Sequence, residues 1–119
     1  MEIRNFQDLR TWQEARRLVS EVYLITKNFP AEEKFRLITQ MRAAAVSVAA
    51  NIAEGMGRET TNDLCHFLIM ARGSIHETVS HLLLSEDLGY ISTEVSNQLR
   101  ERYWGLNAGN NNHLKSLKK

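Results

Sequence analysis

The sequence predicts an all-α protein, an antiparallel up-and-down four-helix bundle. Three observations carry this. Four stretches repeat apolar residues at intervals of three and four, the period of an amphipathic helix. The 119 residues include one proline and six glycines, few for a β-sandwich or an α/β enzyme with many tight turns. The breaks between the periodic stretches are short, two to five residues, so consecutive helices must lie side by side in opposite directions. A helix of about 25 residues is about 37 Å long, which makes the expected bundle elongated.

The first helix is expected over residues 9–29, with Trp12, Ala15, Leu18, Val19, Val22, Ile25 and Phe29 on one face. Arg10 with Glu14, and Arg17 with Glu21, are spaced for i,i+4 ion pairs worth about 0.3–0.5 kcal/mol each. Pro30 ends this helix and opens the second, with Glu32 and Glu33 supplying negative charge at the new N-terminus. The second helix, expected over 32–54, contains the stretch AAAVSVAANIAEG at 43–55. Its alanines point in several directions around the axis, more than one bundle core uses. Such a helix is either central or covered on a second side by another subunit.

Gly55, Gly57 and Arg58 make a turn in which Gly55 is expected to take the left-handed conformation, with Arg58 pairing back to Glu54. Thr60 or Thr61 can cap the third helix, which runs to about Leu88 with Leu64, Leu68, Ala71, Ile75, Thr78 and Leu82 inward. Phe67, Val79 and Leu83 join at its edges. Gly89 is placed to end it, and Ser92 to cap the fourth helix, anchored by Val95, Leu99 and Trp104. Residues 105–113, GLNAGNNNH, hold two glycines and four asparagines, so an interruption is expected there. Leu114 and Leu117 would then resume a short helix. Residues 1–119 are expected to make one domain.

Lysine and arginine number 15 and aspartate and glutamate 14, a formal charge of +1. That balance lacks the strong positive field of a dedicated nucleic-acid binder. No apolar run approaches the length of a membrane span, and the start Met1-Glu2-Ile3-Arg4 is unlike a signal-peptide core. Cys65, the single cysteine, reads as a small hydrophobe in a reducing compartment, and a cytoplasmic setting follows.

The chemistry-bearing residues do not assemble into a catalytic pattern. His66, His76, His81 and His113 contain no i,i+4 pair and read as scattered surface histidines, so no metal or other cofactor is expected. Ser47, Ser74 and Cys65 lack a base placed to activate them. The expectation is therefore a non-enzyme. Gln40, Ser47, Asn51 and Glu54 make a polar seam at spacings of seven, four and three on the second helix, continued by Arg58. The seam is expected to fix packing or subunit register. Arg10, Arg16, Arg17, Arg36 and Arg42 could form a basic patch, and Lys115, Lys118 and Lys119 a basic terminus.

The stretches at 8–30 and 38–58, with FLIMARGSIHET at 67–78 and LGY at 88–90, resemble the four-helix-bundle family named after the intervening sequences of bacterial 23S rRNA genes. NIAEGMGR and ARGSIHE carry that resemblance, which covers about residues 6–104. The family also looks related to accessory proteins of diversity-generating retroelements, which are strongly basic and associate with nucleic acid. The resemblance implies a four-helix bundle and a pentamer of such bundles, with no established catalytic residue. The expected function is a homo-oligomeric binding or scaffold protein; the alternative is an RNA- or DNA-associated accessory protein.

Overall fold

The computed structural model describes residues 5–118; the Met1–Arg4 start and Lys119 of the basic terminus lie outside the described residues. Four helices follow one another: α1 (Arg10–Thr26), α2 (Leu37–Met56), α3 (Thr61–Asp87) and α4 (Thr93–Leu117). Short 3-10 turns at Phe6–Asp8 and Ala31–Glu33 precede α1 and α2. Helices consecutive in the chain touch, α1 closes against α4, and α1 lies diagonally across from α3. The bundle measures 45 × 25 × 19 Å, elongated as the helix lengths require.

The ends of α3 and the start of α4 follow the capping chemistry of the sequence. Thr60 Oγ1 accepts the Asp63 amide at 3.1 Å, and Ser92 Oγ accepts the Val95 amide at 3.1 Å. Gly89 takes φ +77°, its amide donates to Glu86 O, and the Tyr90 amide donates to Ser85 O at 2.9 Å. This is the paired 5→2 and 6→1 closure that satisfies the last carbonyls of a helix.

Elsewhere tertiary contacts correct the expectations. The first helix ends at Thr26 rather than 29: Pro30 disfavours helical backbone at Phe29, whose amide instead closes a tight turn by donating to Thr26 O at 3.2 Å. The second starts at Leu37 rather than 32. Tyr90 Oη donates to Glu33 Oε2 at 2.8 Å and its ring lies 5.1 Å from that of Phe29. These ties hold the 30–36 connection against the α3–α4 link, out of line with α2. Gly55 lies inside α2 without a left-handed φ, and close packing explains it: a Cβ there would stand 2.9 Å from Phe67 Cβ.

The expected interruption at 105–113 does not occur; α4 runs through it unbroken. The glycines cost about 1 kcal/mol each in helix propensity, and packing offsets this. Leu106 and Leu114 enter the core, and Asn110, fully buried, donates through Nδ2 to Leu68 O at 2.9 Å. Gly109 admits α1 closely, since a Cβ there would stand 3.0 Å from Thr11 Cγ2. Gly105 has nothing within 4 Å of such a Cβ. Gly105→Ala should therefore stabilise the protein by about 0.5–1 kcal/mol in chemical denaturation. Gly109→Ala should gain less or lose, because Thr11 must give way.

The core joins Leu18 and Val22 of α1, Met41, Val48 and Ile52 of α2, Leu68, Ile75 and Leu82 of α3, and Leu99 and Tyr103 of α4. Two α3 positions depart from expectation. Leu83 is 41% exposed, whereas His81, read as an outer-face residue, is buried. Thr78 and Ser85 share that buried side and satisfy their hydroxyls by donating to the carbonyls one turn back, Ser74 O and His81 O. A helix face can therefore carry polar groups into a core.

Candidate functional site

α2 touches α1 and α3 and does not pack against α4, so its apolar excess is not absorbed by a central position. It surfaces along the groove between α1 and α2. Two hollows of about 500 and 480 Å³ lie there and share Val46, and a third of about 430 Å³, lined by α1 and its Lys27 cap alone, adjoins them through Val19, Ser20 and Tyr23. Ala49, Ala50 and Ala53 line the middle hollow, where their small side chains leave the depth. Trp12 and Phe6 close one end, ring edge to ring face at 4.8 Å. Tyr23, Phe35 and Ile38 close the other. Phe35 is 86% exposed, the most exposed large apolar side chain among the described residues.

The charged side chains lining this groove are all cations, Arg16, Lys27, Lys34 and Arg42, with no carboxylate among the described lining residues. Arg16 lies 5.5 Å from the Trp12 ring centroid, and Arg42 lies 4.4 Å from that of Tyr23. Arg42 also donates through Nε to Thr26 Oγ1 at 2.9 Å. These stacks flatten the arginines along the groove and leave its surface apolar with a positive rim.

The polar seam occupies the next strip of α2. At about 100° per residue its members share one side of the helix, and the α3 contact of Arg58 shows which side. Arg58 Nη2 lies 2.7 Å from Glu54 Oε2, as the turn spacing suggests, and its guanidinium carbon lies 4.7 Å from the Phe67 ring centroid. Gln40 and Glu54 are exposed; Ser47 and Asn51 are half-buried. The seam thus runs between the apolar strip of α2 and α3.

The five arginines named as a basic patch are spread over several surfaces. Arg10 and Arg17 line a different cleft, between α1 and α4. Arg16 lines the α1/α2 groove, Arg42 its far end, and Arg36 stands beside Glu32 and Glu33. Arg10 and Tyr23, the residue Arg42 stacks on, are 13 residues apart on α1, about 20 Å. The α1/α4 cleft is largely self-neutralised. Arg102 donates through Nε and Nη2 to both Glu14 oxygens, at 3.1 and 2.9 Å, and Arg17 donates to Glu14 at 3.2 Å. The Arg102 hydrogen bond is the main cause holding the Glu14 carboxyl below its ordinary range. Glu14 therefore reaches across the bundle and pairs with Arg17 at i,i+3 instead of Arg10. Nothing in local spacing could reveal this partner 88 residues away.

The remaining shifted groups answer to burial and structural contacts. Tyr90 is raised by its bond to Glu33, and burial raises Tyr103. Burial lowers His81 and His113, opposed at His81 by Glu77, whose Oε2 lies 3.8 Å from Nε2. A folded-state histidine pKa below the unfolded value near 6.5 gives stability that is full above that pH and lost as pH falls through the folded value. The denaturation midpoint should drop as pH is lowered from neutrality towards mild acid. In His81→Leu this drop should shrink, and an unchanged drop would assign it elsewhere.

None of the curated proteins matches the chain. A crystal structure of a protein of unknown function from the S23 ribosomal protein family of Bacteroides thetaiotaomicron is similar to it with a TM-score of 0.81. The two are 21% identical, over 88% of this chain and 98% of that one, a likeness of fold. The family model described as 23S rRNA-intervening sequence protein matches residues 7–110. The chain belongs to the 23S rRNA-intervening sequence protein family.

Proposed function

We propose that the protein is a non-catalytic, homo-oligomeric scaffold whose α1/α2 groove is a contact between subunits. The continuous apolar groove itself carries this reading. Aromatic, aliphatic and alanine side chains meet there in one concave strip, and contiguous exposed apolar surface of that kind marks an interaction site. The pentamer implied by the family resemblance is one assembly that would cover it. The structural causes behind each shifted ionisable group support a non-catalytic role. The lone half-buried thiol of Cys65 suits a reducing cytoplasm.

Ala50 is exposed in the groove, so Ala50→Arg adds bulk and like charge there without entering the core. Light scattering should show the wild-type mass falling to that of one chain in this variant, with the helical circular dichroism retained. Asn51→Ala with Glu54→Ala tests the seam: a reduced mass supports a register role, and an unchanged mass removes it. Retention of wild type on nucleic acid that weakens steeply with salt would favour the accessory role instead.

A further inference from the structure

We infer that the α1/α2 groove of one copy receives the outer face of α3 from a second copy. The inference rests on the assembly reading above and names the surface that fills the groove. A mate for the groove must be apolar, anionic and large-featured, because the groove is apolar, rimmed by cations and floored by alanines. The outer face of α3 has these properties.

Ile69, Met70, Leu83 and Leu84 are each 41–48% exposed there, branched or long side chains where the groove offers Ala49, Ala50 and Ala53. The charges of the two surfaces oppose each other. Asp63, Glu77 and Asp87 are exposed on α3. The single arginine of α3, Arg72, is half-buried and donates to Asn111 Oδ1, and α3 contains no lysine. Four cations on one surface thus meet carboxylates on the other, an arrangement that favours this pairing and opposes like-to-like contact of either surface.

The lengths also agree. Ile69 to Leu84 spans about 22 Å of helix, and Thr39 to Ala53, which line the groove along α2, about 21 Å. Each copy carries both surfaces on different parts of the bundle. The contact is therefore heterologous, leaving every subunit a second face for the next, in a closed ring or an open chain.

Two variants that each spoil one surface test this by sedimentation velocity. Ala50→Arg blocks the groove and leaves α3 intact; Leu84→Lys sets a positive charge on α3 against the groove's cations and leaves the groove intact. Each alone should run at the mass of one chain. Mixed in equal amounts they should form a complex of two chains, because one good groove meets one good α3. A mixture that stays monomeric overturns the inference. So does a Leu84→Lys protein that keeps the wild-type mass while Ala50→Arg loses it, since the groove then pairs with itself and the assembly reading survives. A wild type that is already monomeric overturns both. Should either variant lose the wild-type helical signal, Val46→Lys and Met70→Lys, at exposed positions of the same surfaces, take their place.

Discussion

Truncating Tyr103 to alanine is expected to cost about 3–5 kcal/mol of folding stability, the range for removing a large aromatic side chain from a packed core. Tyr103 is the largest fully buried side chain among the described residues and stands between Leu99 and Leu106 on the inner face of α4. The loss combines transfer of the ring to water with the cavity left behind. Its hydroxyl behaves differently. The oxygen is buried and has no hydrogen-bond partner among the described residues, and burial raises its pKa, keeping the phenol neutral. Tyr103→Phe should therefore be neutral or stabilising, within about 1 kcal/mol. Urea denaturation at one fixed protein concentration measures both, since association adds to apparent stability. A loss in Tyr103→Phe approaching that of Tyr103→Ala would show that the hydroxyl, rather than the ring, holds this layer.

Gly55→Ala is expected to destabilise by up to about 2 kcal/mol, against the ordinary helix preference. Alanine in place of glycine inside a helix gains about 1 kcal/mol. At this position the new Cβ would stand 2.9 Å from Phe67 Cβ and 3.1 Å from Leu64 Cδ1. Phe67 Cβ is fixed to the α3 backbone, so the helices must separate, and overpacking of this kind costs about 1–3 kcal/mol. Since Phe67 also supports the Arg58 stack, movement there should disturb the end of the polar seam. Gly105→Ala is the control with the opposite expected sign. A stabilised Gly55→Ala protein would mean that α2 and α3 can part without cost.

Helix periodicity made the architecture legible. The caps at Thr60 and Ser92, the left-handed Gly89 and most of the apolar stripes depend on residues close in sequence and stand where local chemistry puts them. Trp104, read as an anchor of the fourth helix, is instead exposed, and its neighbour Tyr103 is the buried ring. The errors share another origin. Asn110 looks like a helix breaker until Leu68 O, 42 residues away, is seen to accept its amide. Gly55 looks like a turn residue until Phe67 is placed against it. His81 differs from His66 and His76 only in being turned inward, which periodicity could have suggested from its place one turn before the buried Ser85.

The candidate surface was legible in part. The alanine-rich run at 43–55 signalled surplus apolar area on α2, and the structure locates that surplus beside α1. The contribution of Phe35, Lys27 and Lys34 was not legible. They lie on the α1–α2 connection and at the end of α1, off any helical stripe, and only the fold brings them to the groove. Counting arginines could not place them, for the same reason. Similar residues along one helix face different neighbours, and Arg16 and Arg17 end on different surfaces.

The central claim is that one chain is a fraction of the working particle, and the mass of the wild-type protein in solution tests it most directly. Sedimentation velocity across a dilution series in the micromolar range should give a defined multiple of 13.7 kDa that lightens on dilution or holds if the contact is tight. A single species of 13.7 kDa throughout the series would contradict the account, leaving the α1/α2 groove without its subunit.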